Sequence, residues 1–191
     1  MKFVLATKNK GKVSELRKIL QSEDIITMSE AGFDEDIVED GKTFEENALI
    51  KARAVCKALS SPAIADDSGI EVYALDMAPG IYSARYAGEG ATDEIRVEKL
   101  LSELSGKEDR RARFVCAAAL CLPDGREFAV KGILDGEVTE FPQGNGGFGY
   151  DPVFKPCGFD KTVAELSGEE KNRISHRAKA FGELKKIIET L

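Results

Sequence analysis

The sequence has a single histidine, His176, and no C-x-x-C pair among its four cysteines. One histidine cannot supply a His-rich zinc site, and the HExxH motif of zinc proteases requires two. A serine hydrolase would need His176 as its base, yet no serine stands in a nucleophile-elbow sequence. These absences argue against histidine-based zinc chemistry and against a Ser-His-Asp triad.

Long apolar runs are also absent. The longest run, Phe114 to Leu122, is far short of the ~20 residues that a membrane helix needs, and Phe3 to Ala6 is too short for a signal peptide. Cys116 and Cys121 stand in a strand-like run at a spacing that points them to opposite faces. We therefore expect reduced, buried thiols in a cytoplasmic protein without a membrane segment.

Positively charged residues are in the minority: the chain has 27 lysines and arginines and 34 aspartates and glutamates, which gives a net charge of −7. Such an excess argues against direct nucleic-acid binding, which requires a broad basic face. It leaves room for a small anionic ligand held by a few cations. The length of 191 residues and the hydrophobic share of 42% predict one domain spanning residues 1–191.

The hydrophobic spacing predicts strands that alternate with helices. The predicted strands cover 2–7, 62–65, 113–122 and 126–134, and the predicted helices follow Lys12 or begin near Thr43, Thr92 and Ser175. Thr43 and Glu46 have the spacing of a capping box, and Pro123-Asp124-Gly125 predicts a hairpin turn. This pattern indicates an α/β chain with a mixed sheet flanked by helices.

The first candidate site is a lysine-rich segment between the first strand and the first helix. Its residues are Thr7, Lys8, Asn9, Lys10, Gly11 and Lys12. A helix start presents free N–H groups and a positive dipole end, which suit phosphate, and the lysines add positive charge. The segment lacks the P-loop pattern. The alternative interpretation is a solvated lysine-rich turn.

The second candidate is the acidic doublet Asp66-Asp67, followed by Ser68, at the predicted carboxyl end of a strand. Adjacent carboxylates repel each other, so a cation or hydrogen bonds must compensate them. Mg²⁺ typically binds one or two carboxylates together with substrate phosphate oxygens, and Glu39 upstream could complete such a site. The alternative is an Asx-turn with a capping aspartate.

Two segments near the carboxyl terminus could recognise a nucleotide. The loop 144–152 combines close-approach glycines with Phe148 and Tyr150 as flat faces for a base, and with Asp151 as an acceptor for a ring N–H. The cations Lys171, His176 and Arg177 gather near the start of the last helix. The alternatives are a flexible surface loop and a structural histidine. Together with the first two candidates, these segments favour a nucleotide polyphosphate with Mg²⁺.

Six segments, in this order, resemble the Ham1-like (inosine triphosphate pyrophosphatase) family over nearly the whole chain. They are ATKNKGKVSEL, TFEENALIKA, ADDSGIEV, PGIYSARYAG, GGFGYDPVF and ISHRAKA. The resemblance implies an elongated α/β fold with two lobes around a central nucleotide cleft, typically as a homodimer. It also implies Mg²⁺-dependent hydrolysis of ITP, dITP and XTP to the monophosphate and pyrophosphate, which keeps deaminated purines out of DNA and RNA. Lys8 stands where the family usually has a smaller residue.

The resemblance also implies roles for individual residues. Asp67 would be metal ligand and proton acceptor, Glu39 a second metal ligand, and Thr7 to Lys12 the phosphate-binding segment. The remaining residues that would contact the substrate are Ser68, Phe148, Gly149, Tyr150, Asp151, Lys171, His176 and Arg177. Two other functions remain open: a sensor that binds a purine triphosphate without cleaving it, and a pyrophosphatase of the Maf type.

Overall fold

The structure is a computed structural model that describes residues 2–20 and 24–191. Its strands are β1 (Phe3–Leu5), β2 (Ile25–Thr27), β3 (Ala63–Val72), β4 (Arg111–Cys121), β5 (Glu127–Val138) and β6 (Phe154–Pro156). Its α-helices are α1 (Lys10–Leu20), α2 (Phe44–Leu59), α3 (Asp93–Glu103), α4 (Gly168–Ile174) and α5 (His176–Ile188). None of the described helices is both long and apolar enough to cross a bilayer.

The six strands form one mixed sheet in the order β2-β1-β3-β4-β5-β6. Strand β1 runs parallel to β2 and β3, with Val4 opposite Ile26 and Ala63, whereas β6 is antiparallel to β5. The predicted hairpin turn joins the neighbours β4 and β5, and the Leu122 amide donates to the Arg126 carbonyl at 2.9 Å. The predicted class, a mixed sheet with helices, is confirmed.

The chain forms two compact units. Unit 1 contains Met1–Asp67, Cys116–Gly132 and His176–Leu191, and unit 2 contains Ser68–Val115 and Ile133–Ser175. The single domain over 1–191 and the nucleotide cleft between two lobes stay predictions.

Each unit has its own hydrophobic cluster. In unit 1, Leu16 and Leu20 of α1 share a buried cluster with Phe181 and Leu184 of α5. In unit 2, buried apolar side chains of β3, α3 and β4 pack together, and the ring centroids of Phe114 and Phe154 lie 4.1 Å apart. The periodic apolar positions that predicted these elements therefore form their buried faces.

Helix starts follow the capping signals in the sequence. The Thr43 hydroxyl accepts from the Glu46 amide at 3.1 Å, and the Thr92 side chain caps α3 in the same way. The Glu46 carboxylate accepts from the Lys42 amide rather than from Thr43, so the reciprocal half of the predicted capping box is shifted by one residue. The last helix begins at His176, as expected, but the short helix α4 precedes it and was not predicted.

Strand β3 is longer than predicted. The prediction that it ends at Ala65, with the acidic doublet in the following loop, is wrong, because β3 continues to Val72. The apolar side chains Ile70 and Val72 are fully buried beyond the doublet and keep the chain in the sheet. Asp66 and Asp67 therefore lie inside a strand, and successive side chains of a strand leave it on opposite faces.

Candidate active site

Residues 7–12 form the passage from β1 into α1. The Thr7 hydroxyl accepts from the Asn9 amide at 3.2 Å, and the Asn9 side-chain oxygen accepts from the Lys12 amide at 3.0 Å. Asn9 thus satisfies one of the amides that the first turn of a helix leaves without an intrahelical partner. Lys10, Gly11 and Lys12 are the first residues of α1, so the structure places the lysines at a helix start, as predicted.

The three lysines of this segment differ in their surroundings. Lys8 is exposed and donates to the Asp34 carbonyl at 2.8 Å and to the Asp36 carboxylate at 2.7 Å. This contact lowers the pKa of Asp36 below its usual range. Lys10 is exposed, whereas Lys12 is half-buried and its ammonium lies 3.0 Å from Asp66 Oδ2. Lys12 therefore links the lysine-rich segment 7–12 to the acidic doublet.

Asp66 is completely buried and lies among cations of unit 1. Its Oδ2 contacts Lys12 and also accepts from Arg177 Nε at 3.3 Å. Burial alone would raise the pKa of this carboxyl, but Lys12, Arg177 and Lys51 together hold it well below its usual range. Asp66 is consequently a permanent buried anion, which suits a structural anchor better than a proton acceptor.

Asp67 leaves β3 on the opposite face and has different partners. Asn47 donates to its Oδ2 at 3.1 Å, and the Lys51 ammonium lies 3.8 Å from its Oδ1. Burial raises the pKa of Asp67 more than Lys51 and Lys12 lower it, and the nearby Glu39 carboxylate raises it further. A carboxylate with a raised pKa is the stronger base of the doublet and can accept a proton.

Lys51 and Asn47 are functional candidates that sequence reasoning missed. Both are buried on α2, and the Lys51 ammonium lies 2.8 Å from Glu39 Oε2 as well as near Asp67. Burial lowers the pKa of Lys51, but Asp67, Asp66 and Glu39 outweigh it and raise that pKa overall. The available signal was a lysine at helical spacing within the apolar stripe of α2.

The acidic side chains fit a magnesium ion of the kind that binds substrate phosphate. Within residues 2–20 and 24–191, no group of three or more His, Cys, Asp or Glu side chains is arranged to hold a metal ion. Glu39 and Asp67 approach the same Lys51 ammonium, so a cation already lies beside both carboxylates. Two such ligands suffice for Mg²⁺, which completes its shell with water and phosphate oxygens.

In unit 2, the predicted base-recognition residues form a second buried cluster. The Lys171 ammonium lies 2.6 Å from Asp151 Oδ2, and the Phe148 amide donates to the same oxygen at 3.0 Å. The ammonium also lies 4.7 Å from the centroid of the Phe148 ring. Asp151 therefore binds both the Lys171 ammonium and the Phe148 amide, and its role as an acceptor for a ring N–H stays a prediction.

The two aromatic residues of this loop have different environments. Tyr150 is 5% exposed, belongs to the unit 2 core, and donates its hydroxyl proton to the Ser83 carbonyl at 2.8 Å. This corrects the expectation of two flat faces for a base, since only Phe148 is half-buried. The Gly149 amide donates to Asp93 Oδ2 at 2.7 Å, which fixes the backbone of the loop.

The other predicted residues lie on β3 and at the start of α5. Ser68 is half-buried in β3, and His176 is buried as the first residue of α5. Arg177 is 2% exposed and pairs with Asp66 and Glu15. Unit 1 thus brings together residues 7–12, the acidic doublet and Arg177, while Phe148, Asp151 and Lys171 meet in unit 2.

Comparison with known proteins identifies the family. The sequence profile of the Ham1 family matches residues 3–187. A dITP/XTP pyrophosphatase of Desulfotalea psychrophila is 52% identical over 185 residues, which cover 96% of this chain and 83% of that protein. A dITP/XTP pyrophosphatase of Bacillus subtilis is 50% identical over 190 residues, covering 97% of this chain and 96% of that protein.

Solved structures agree with this assignment. The Staphylococcus aureus Ham1 protein matches this chain with a TM-score of 0.91 at 46% sequence identity. The match covers 100% of this chain and 99% of the Staphylococcus aureus chain. A HAM1 protein from Coxiella burnetii also has a TM-score of 0.91, at 41% identity, with 100% of both chains covered. On its sequence and on its fold, this chain belongs to the Ham1 family.

Proposed function

We propose that this protein is a Mg²⁺-dependent nucleoside triphosphate pyrophosphatase. It hydrolyses ITP, dITP and XTP to the monophosphate and pyrophosphate, and so keeps deaminated purines out of DNA and RNA. The names of its relatives support the substrate class. The observation that carries the chemistry is Asp67, a buried carboxylate of raised pKa that contacts Asn47 and lies near Lys51.

Asp67 acts as the proton acceptor. Asn47 holds one carboxylate oxygen by its hydrogen bond, so the carboxylate keeps a fixed orientation toward the attacking water. As the water oxygen bonds to the α-phosphorus, its proton passes to Asp67, and the bond from that phosphorus to the bridging oxygen breaks. Pyrophosphate leaves with the electron pair of the broken bond.

The positive groups of unit 1 stabilise the charge of the triphosphate. Lys8, Lys10 and Lys12 and the first amides of α1 bind phosphate oxygens, because a helix start and mobile ammonium groups both attract anions. Lys51 keeps Glu39 and Asp67 close together. When bound between Glu39 and Asp67, Mg²⁺ would neutralise phosphate charge and orient the reacting group.

Residues of unit 2 recognise the nucleoside: Phe148 supplies a face for the base, Lys171 a donor, and Ser68 and residues 149–151 further contacts. In unit 1, we assign His176 a contact with the substrate. Hypoxanthine and xanthine carry an acceptor oxygen at position 6, where adenine carries an amine donor. A donor aimed at that oxygen rejects the amine, and polar mismatch of this kind discriminates by up to ~10⁴-fold.

The test is a panel of nucleoside triphosphates, assayed for pyrophosphate and for orthophosphate with and without Mg²⁺. We expect pyrophosphate from ITP, dITP and XTP, little product from ATP and GTP, and no turnover after chelation. Release of orthophosphate alone would indicate a phosphatase. ITP that stays intact while bound at stoichiometric amounts would indicate a sensor, and a preference for pyrimidine or modified nucleotides would indicate the Maf type.

We also propose that the protein works as a homodimer in the cytoplasm and does not bind nucleic acid directly. The net charge of −7 supports the last point, because phosphate backbones require a basic face. Membership of the Ham1 family supports the dimer. Sedimentation equilibrium tests the oligomeric state, and a monomer at micromolar concentration would contradict it.

A further inference from the structure

Asp93, the first residue of α3, connects this helix to the glycine-rich loop that carries Phe148. Its Oδ2 accepts a hydrogen bond from the Gly149 amide at 2.7 Å, across a separation of 56 residues in the chain. Its Oδ1 lies 2.5 Å from Arg96 Nη1, three residues further along the same helix. One carboxylate of unit 2 therefore joins the loop to a side chain of α3.

Arg96 fixes the orientation of this carboxylate. Its Nη1 donates to Asp93, and its Nη2 donates to the Ala91 carbonyl at 2.5 Å, so the guanidinium spans the start of α3. Buried side chains of α3 share the unit 2 core with Tyr150, the residue that follows Gly149. The acceptor oxygen is thus held by a helix that packs on the same core as the end of the loop.

The loop that receives this hydrogen bond is rich in glycine, and glycine by itself does not hold one backbone conformation. Gly147 and Gly149 have φ values of +74° and +62°, in the left-handed region. The Phe148 amide donates to Asp151 Oδ2 at 3.0 Å, and the Gly149 amide donates to Asp93. Carboxylates therefore hold the two peptide groups on either side of the Phe148 Cα.

Holding both peptide groups determines the direction of the Phe148 side chain. The backbone has two soft dihedral angles per residue, and the flanking peptide planes fix both of them for Phe148. Hydrogen bonds to a carboxylate are about twice as strong as those between neutral groups. A side chain that is already ordered before binding also loses less conformational entropy when a ligand arrives. The contact between Asp93 and Gly149 thus favours a preorganised aromatic ring.

We propose that Asp93 is a positioning residue for base recognition: it holds the Gly149 amide so that the Phe148 ring is preorganised to stack on the purine. The proposal rests on the proposed function, in which Phe148 supplies a face for the base. Asp93 acts through the backbone of the loop, and the hydrogen bond from Gly149 is the contact that transmits its effect.

The test compares Asp93→Ala with Asp93→Asn by kcat and KM for ITP. We expect D93A to raise KM roughly 10- to 30-fold and to change kcat by less than about threefold, because it weakens binding of substrate and transition state alike. Asparagine keeps a side-chain oxygen that can accept from the Gly149 amide. D93N should therefore keep KM within about threefold of the wild type, since a neutral acceptor retains part of the hydrogen bond.

A double-mutant cycle with Phe148→Ala shows whether the effect passes through the ring. In the F148A background, D93A should change KM by less than about twofold, because the group that Asp93 positions is gone. Glu94→Ala is the matched control, since Glu94 is an exposed carboxylate in the same first turn of α3, and it should leave both kinetic constants unchanged. Additive losses in the cycle would show a general structural role and would overturn the proposal.

Hydrogen exchange of the Gly149 amide, followed by NMR, tests the contact without turnover. Exchange should be at least about tenfold faster in D93A than in the wild type, and D93N should retain most of the protection. Unchanged protection in D93A would overturn the proposal. If D93A fails to fold by circular dichroism, Asp93→Glu replaces it. This variant keeps the negative charge at the start of α3 but displaces the acceptor by one methylene, so KM and the exchange rate should still rise.

The wild-type protein is assayed first. If it releases no pyrophosphate from ITP, the proposed function fails and the inference fails with it. Active wild type with an additive cycle, or with a D93A variant that loses kcat at constant KM, refutes only the inference.

Discussion

At Asp67, a conservative substitution should abolish most of the catalytic activity without changing the fold. We expect Asp67→Asn to lower kcat by about 10²- to 10⁴-fold, because the amide cannot accept the proton from water. Pyrophosphate assays and circular dichroism measure the two effects. Asp40→Asn is the control, since Asp40 is exposed in the same acidic stretch of the chain as Glu39. An Asp67→Asn variant with normal turnover would refute the assignment of the base.

Lys51 should set the pH range in which Asp67 works. Its positive charge lowers the pKa of Asp67, so Lys51→Met should raise that pKa and leave more of the carboxyl protonated at a given pH. The acid limb of kcat/KM against pH then moves to higher pH. Lys57→Met, at an exposed position of the same helix, should leave the limb in place. An unmoved limb in the Lys51 variant would contradict this prediction.

Asp66 should matter for stability. Asp66→Asn leaves buried cations without their anion, and we expect a loss of roughly 3–5 kcal/mol in the free energy of unfolding. Since folding lowers the pKa of Asp66, its contribution is present above the ordinary carboxyl pKa of ~3.9 and is lost as the pH falls below it. Urea unfolding at pH 7 measures the effect. Asp109→Asn, at an exposed ion pair, should leave the free energy of unfolding almost unchanged, because solvent and salt screen such a pair.

The sequence showed which residues carry charge but not which of them meet. The doublet and Glu39 were found because acidic side chains next to an apolar strand are unusual. Lys51 and Asn47 were missed, because their contacts with Asp67 depend on which face of α2 packs against β3. That face is set by tertiary packing, which local spacing does not encode.

At the scale of an element, the contact between α5 and β5 depends on Gly132. A methyl group there would clash with the His176 carbonyl and the Ala180 amide. Gly132→Ala should therefore push α5 outward and lower the free energy of unfolding by roughly 2–4 kcal/mol. Thermal unfolding measures this cost.

Gly182→Ala is the matched control in the same helix, since a Cβ at Gly182 meets nothing within 4 Å. It should stabilise the protein by about 0.5–1 kcal/mol, because alanine favours a helix interior over glycine. Equal effects of the two alanine substitutions would contradict the close contact between α5 and β5.

Element boundaries were predictable where the chain carries local signals. The caps Thr43 and Thr92 marked the starts of α2 and α3, and the hairpin turn separated β4 from β5. The end of β3 was misplaced because charged residues normally end a buried strand, and only distant partners permit them here. Helix α4 was missed since its sequence is polar, although Ser167 and Glu170 form the capping box that marks its start.

At the scale of the whole molecule, substrate binding should appear as thermal stabilisation. A ligand that binds only the folded state at about 100 times its Kd adds ~2.7 kcal/mol. For a chain of this size we expect the Tm to rise by roughly 5–10 °C with an ITP analogue that resists hydrolysis, in the presence of Mg²⁺. The matching ATP analogue should shift the Tm far less. Equal shifts would contradict discrimination at the binding step.

For the whole molecule, composition and hydrophobic periodicity were sufficient to predict the α/β class of the fold and the net negative charge of the protein. The division into two units was not foreseeable from composition, because β3, β4 and β5 each contribute residues to both units. A linker would have marked a boundary, but three of the four boundaries fall within continuous strands and the fourth lies between α4 and α5.

The distribution of thiols has a practical consequence. Cys56, Cys116 and Cys121 are buried, and burial raises the pKa of Cys121 to about 12, whereas Cys157 is exposed. Maleimides react with thiolates at accessible positions, so a fluorophore or spin label should attach at Cys157 alone. The natural sequence thus offers a site-specific spectroscopic reporter in unit 2 without prior removal of the other cysteines.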